Sequence, residues 1–107
     1  MITATVVKDS SGYVEFSCKG HAGFAAKGKD IVCSAISALT INTANSIMTL
    51  SDTPIDVNEN DGFLSWRFEK TPEEKATLLM DSLIIGLKSV EEEYKGYLTL
   101  RVEEVLK

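Results

Sequence analysis

The stretch Ile55-Asp56-Val57-Asn58-Glu59-Asn60-Asp61-Gly62-Phe63-Leu64-Ser65-Trp66-Arg67-Phe68-Glu69 decides the fold. Leu64, Trp66 and Phe68 alternate with Ser65 and Arg67, the period of a half-buried strand over Phe63 to Glu69. Ile55 to Asn58 is a short strand before it, and Glu59-Asn60-Asp61-Gly62 reads as the turn of a hairpin. Two strands therefore follow one another with no helix between them. The pattern recurs upstream. Ile2 to Lys8 is rich in β-branched residues, with Ile2, Ala4 and Val6 on one face. Asp9-Ser10-Ser11-Gly12 turns the chain. Tyr13 to Lys19 returns it, with Val14, Phe16 and Cys18 on one face and Tyr13, Glu15 and Ser17 on the other.

A helix follows each hairpin. Asp30 is a good N-cap for a helix over Ile31 to Leu50, in which Val32, Ala35, Ile36, Leu39, Thr43, Ile47 and Leu50 recur at helical spacing. Thr71-Pro72-Glu73-Glu74 reads as a second start, with Thr71 capping, Pro72 at the first helical position and a Glu three after the cap. That helix extends to about Tyr94, turning Ala76, Leu79, Met80, Leu83, Leu87 and Val90 inward, and Gly96 stops it. Glu91-Glu92-Glu93 reads as a solvated face. Tyr97 to about Val105 is a last strand. The order is β-β-α-β-β-α-β. Strands grouped in hairpins predict an α+β fold, two helices packed on a mostly antiparallel five-stranded sheet. Periodicity does not order the strands.

At 107 residues the chain is one domain, 1–107, large enough to bury a core without disulfides or metal. Sixteen acidic against eleven basic residues give a net charge of -5, poor material for gripping phosphates, so no direct nucleic-acid partner is expected. Two cysteines and one histidine, widely spaced, match no zinc pattern, and nothing calls for an organic cofactor. Met1 to Val7 lacks the basic start and long apolar run of a signal peptide, and Leu78 to Leu87 is too short and too polar to span a bilayer. No membrane partner is expected, and the expected compartment is the cytoplasm, with reduced thiols.

The chemistry concentrates between Gly20 and Leu39. Cys33 falls in the first turn of the first helix, where free N–H groups and the positive end of the dipole favour a thiolate and could hold an oxyanion. His21 leaves the second strand twelve residues earlier. The glycine-rich segment between them can fold back to bring the imidazole to the sulfur, the minimum for thiol-dependent acyl transfer. Spacing alone leaves the alternatives open: Cys33 as a small buried side chain, His21 as a turn residue, the glycines as a tight turn. Cys18, beside Val14 and Phe16, reads as core. Asp30 is read as a cap, with a third catalytic role still open.

Gly20-His21-Ala22-Gly23, then Ala25, Gly28, Asp30-Ile31-Val32-Cys33, and then Ala35, Ser37 and Leu39 together resemble the signature of the ribosomal-processing cysteine proteases, the Prp family. The motif covers about a fifth of the chain. The resemblance implies Cys33 as nucleophile and His21 as general base and acid; Gly20, Gly23, Gly28 and Asp30 of the motif, and Ser34 beside it, are expected to support them or bind substrate. It implies a substrate too: the short N-terminal extension of a large-subunit ribosomal protein, the twenty-seventh, ending in a hydrophobic, aromatic-containing motif. It also implies a homodimer with a glycine-rich loop closing over peptide. Phe24 and the small-residue helix face at Ser37 are the expected pocket walls. Two rival readings are a ribosome-associated module that holds peptide in the same cleft without cutting it, and a redox sensor pairing Cys18 with Cys33.

Overall fold

The computed structural model describes residues 1–26 and 30–106. Its elements are β1 (Ile2–Asp9), β2 (Gly12–Lys19), α1 (Ile31–Leu50), β3 (Ile55–Asn60), β4 (Phe63–Phe68), α2 (Glu74–Glu93) and β5 (Leu98–Glu104). The expected element order and the α+β layering are present. The strands form one sheet in the order β3-β4-β2-β1-β5, antiparallel throughout except for the parallel pair β1–β5. Both helical connections are crossovers between parallel strands, β2 to β3 and β4 to β5, so α1 and α2 lie side by side on one face of the sheet.

The core is the layer between them. Ala4, Val6, Phe16 and Trp66 are at most 1% exposed on the sheet side, and Val32, Ile36, Ile47, Met80, Leu83 and Leu87 meet them from the helices. Phe16 and Trp66 are register partners on adjacent strands, with ring centroids 4.6 Å apart. By length and composition alone α1 could cross a membrane, more readily than Leu78 to Leu87, but six of its residues are buried here and it serves as the central core helix.

Several expectations need correction. Tyr13 does not face away from Phe16. The register slips between Val7 and Lys8, an irregularity that places Tyr13 opposite Lys8 and turns its ring into the core, 6% exposed. There its hydroxyl donates to Asp81 Oδ1 on α2, and burial, followed by that hydrogen bond and then the carboxylate's charge, raises its pKa well above the ordinary phenol value. The second helix starts later than expected. Glu73, not Thr71, is its cap: the carboxylate accepts from the N–H groups of Ala76 and Lys75, while the Glu73 N–H donates to buried Thr53 Oγ1 at 3.0 Å. An acceptor anchored by the end of the α1–β3 connection outcompetes the local Thr-Pro signal. β3 continues to Asn60, leaving Asp61-Gly62 alone as the hairpin turn. Glu91 is not merely solvated, because it accepts from the Leu100 N–H at 2.7 Å and ties the end of α2 to β5. Leu50, in the last turn of α1, is 60% exposed rather than inward.

Candidate active site

The C-terminal end of β2, the N-terminus of α1 and the β3–β4 turn converge on one cleft of about 580 Å³. Cys33, His21, Gly20, Gly23, Asp30, Ser34 and Ser37 all line it. Gly28 lies outside the described residues. The sequence-predicted site residues are therefore brought together with one exception, Phe24, which is not among the lining residues. Its ring stands edge-on to Tyr94 and Tyr97, at 5.7 and 5.2 Å, and anchors the loop on the α2–β5 connection instead of walling the pocket. The aromatic contact outbids the cleft because those two rings offer a partly buried apolar surface close by.

Cys33 is half-buried, the third residue of α1. Asp30 caps the helix, its Oδ1 accepting from the Cys33 N–H at 2.9 Å. Its Oδ2 reaches back across the loop to accept from the N–H groups of Phe24 at 3.0 Å and Ala25 at 3.5 Å. Asp30 is 7% exposed, and these donors, led by Cys33, hold its carboxyl below the usual carboxylate range. One carboxylate thus fastens the loop that carries His21 to the helix that carries Cys33. Both of its oxygens are occupied by backbone amides, a supporting role and not a histidine-orienting one.

The caps also alter the expected oxyanion arrangement. The Cys33 N–H is taken by Asp30 Oδ1 and the Ser34 N–H by the Asp30 carbonyl at 3.0 Å. The amide aimed at the sulfur comes from the loop: the N–H of Ala22, whose own side chain is buried, donates to Cys33 Sγ at 3.3 Å.

His21 is exposed and rests on the tip of the β3–β4 hairpin. Among the described residues no hydrogen bond joins it to Cys33. Gly62 makes room for it. At φ +70° this residue completes the two-residue turn, and a Cβ there would lie 2.8 Å from His21 Nε2. The Gly62 carbonyl in turn accepts from the Gly20 N–H at 2.8 Å. Gly20 is equally constrained, at φ +105° with Met1 O only 2.5 Å from where its Cβ would be. The hairpin tip was not foreseen as part of the site. Asp61-Gly62 is legible as a turn, but its meeting with His21 is a long-range consequence of the β2–β4 pairing, which places Lys19 opposite Phe63.

Cys18 is half-buried and packs against the core, as read from its strand, but it also lines the cleft. Burial, with a smaller contribution from the charge of Cys33, pushes its thiol up to about 11. Among the described residues, no group of three or more His, Cys, Asp or Glu side chains is placed to hold a metal.

A cysteine thiol held by a loop amide at a helix N-terminus, with an imidazole on the same cleft, is the equipment of a thiol peptidase. Residues 1–99 match the family model described as Cysteine protease Prp. The chain belongs to that family. It is similar to the ribosomal processing cysteine protease Prp of Bacillus subtilis, 32% identical over 105 residues that cover 92% of this chain and 94% of the relative. The Prp of Staphylococcus aureus is 31% identical over 103 residues, covering 94% and 97% of the two chains. A crystal structure of an essential S. aureus Prp with a covalently linked product peptide superposes with a TM-score of 0.91, at 29% identity, over 96% of this chain and all of that one. A second, with a substrate peptide, gives 0.85 at 28% identity over the same shares. Like its Prp relatives, the chain is a cysteine protease.

Proposed function

We propose that this Prp-family protein is an endopeptidase that removes the N-terminal extension of a large-subunit ribosomal protein, the twenty-seventh, using Cys33 and His21. The observation that carries the reading is the Ala22 N–H on Cys33 Sγ within a cleft that His21 also lines. His21 takes the thiol proton and the sulfur attacks the scissile carbonyl carbon, giving a tetrahedral oxyanion that still carries the leaving nitrogen. The Ala22 N–H, released from sulfur as the C–S bond forms, is placed to donate to that oxygen. The imidazolium then protonates the leaving amine as the C–N bond breaks, and water activated by His21 hydrolyses the thioester. Peptide binding draws the loop over the cleft and closes His21 onto Cys33, which restrains proteolysis until substrate is present.

The chain's net charge of -5 suits a basic ribosomal substrate. We further propose that it works as a homodimer in the cytoplasm, which sedimentation velocity and cell fractionation would check. The test of the chemistry is a peptide spanning the extension, incubated with wild type and with Cys33→Ser. Cutting at one bond by wild type alone supports the reading. Equal cutting by both removes Cys33 from the mechanism, and cutting of neither peptide nor intact ribosomal protein refutes the substrate.

A further inference from the structure

The cleft does not end at Cys33. Ile41, two turns further along α1, lines it while remaining 43% exposed, and Met48, seven residues beyond on the same side of the helix, is 54% exposed. Opposite them runs β3, the edge strand of the sheet. Val57 pairs in register with fully buried Trp66 and so points to the helix-covered face, yet it keeps 38% of its surface. Ile41, Met48 and Val57 thus present exposed apolar side chains that start in the cleft at Ile41 and continue along α1 and the facing edge strand. The unpaired edge of β3 offers backbone N–H and C=O groups along the same line. An extended peptide satisfies both features at once, because it pairs by its backbone and inserts alternate side chains.

We propose that these side chains wall an extended groove, a substrate subsite in which Ile41, Val57 and Met48 select apolar side chains remote from the bond that is cut. The spacing follows from geometry. At 1.5 Å per helical residue, Ile41 and Met48 lie about 12 and about 22 Å from Cys33 along α1. At about 3.3 Å per extended residue, they meet substrate side chains about four and about seven positions from the scissile bond. The inference rests on the endopeptidase reading above.

The test compares a long extension peptide, reaching about ten residues to each side of the cut, with a short one reaching about three. The double variant Met48→Gln, Val57→Thr keeps helix and strand propensity and adds no charge. It should lower kcat/KM for the long peptide about tenfold, the worth of burying one apolar side chain, through KM and with kcat unchanged. The short peptide should be cut as before. Leu78→Gln, at an exposed site on α2, should change neither. Equal kcat/KM for wild type and double variant on the long peptide would overturn the subsite. So would a change of the double variant from dimer to monomer in sedimentation with peptide kinetics intact, which would assign the groove to a second copy. If wild type cuts neither peptide, anisotropy with labelled long peptide on the Cys33→Ala background decides separately. Tenfold weaker binding in the double variant would then keep the groove and discard the proteolytic reading, and equal binding would discard both.

Discussion

Gly62→Ala tests the coupling between the hairpin tip and the base. The new Cβ would sit 2.8 Å from His21 Nε2, and ordinary contact begins at 3.4 Å, so the imidazole must retreat by about 0.6 Å (3.4 minus 2.8). His21 is exposed, so the retreat itself costs the fold little. The backbone cost is separate: a non-glycine residue at φ +70° is strained by about 1 to 2 kcal/mol. For a domain of this size that lowers Tm by roughly 4 to 8 °C per kcal/mol. Catalysis should suffer more than stability, because a displacement of about 1 Å in a reacting group costs on the order of a hundredfold. A shift of 0.6 Å therefore predicts a loss of about tenfold in kcat. Gly96→Ala is the matched control, with φ +90° and nothing within 4 Å of its Cβ. Thermal unfolding and kcat on the extension peptide are measured for both. Gly96→Ala should lose Tm alone, and Gly62→Ala both Tm and kcat. Two variants with the same Tm loss and wild-type kcat would refute a role for the hairpin tip in placing His21 for catalysis.

Asp30→Asn keeps one acceptor for the Cys33 N–H but cannot also accept from Phe24 and Ala25, so the helix cap survives while the loop loosens. Stability at neutral pH should be only modestly weakened and peptide cleavage fall about tenfold, the worth of one charge-assisted hydrogen bond; wild-type activity would refute the clamp, and a loss of several orders of magnitude with intact folding would make the carboxylate catalytic. The lowered Asp30 value means that its contribution is complete above the unfolded carboxylate pKa of about 4 and disappears as pH falls through the folded one, so wild type and Asp30→Asn should converge in Tm in acid. Cys18, pushed up to about 11, is about one part in a thousand thiolate at pH 8, so iodoacetamide followed by peptide mapping should label Cys33 first. Between the unperturbed thiol value of 9.0 and about 11, unfolded chains lose the Cys18 proton while folded ones keep it, and stability should fall with rising pH across that window and less so in Cys18→Ala. Tyr13→Phe removes the hydroxyl that donates to Asp81 and should cost about 1 kcal/mol in urea unfolding, with peptide cleavage unchanged.

Much of the candidate site was readable before any coordinates. Asp30 three residues before Cys33 announced both a cap and a thiol in the first turn, because capping is a local rule that needs only the chain's own neighbours. Phe24 misled because an exposed aromatic in a loop takes whichever partner the fold brings close, here Tyr94 and Tyr97, some seventy residues away in sequence. Thr71 misled for a similar reason. Its local signal was sound, but Thr53, buried at the end of the α1–β3 connection, holds Glu73 in the capping place.

What the sequence determined by itself was local: the periods that make five strands and two helices, the cap, and the His, Cys and glycine spacings that resemble one protease family. Those features depend on residues within a few positions of each other, where hydrogen-bond geometry and side-chain direction leave few choices. Tertiary structure decided the rest. The strand order β3-β4-β2-β1-β5, the irregularity that turns Tyr13 inward and the hairpin tip beneath His21 all arise from pairings between distant segments. Such pairings are chosen by the burial of whole faces at once, a sum over the molecule that no window of sequence contains.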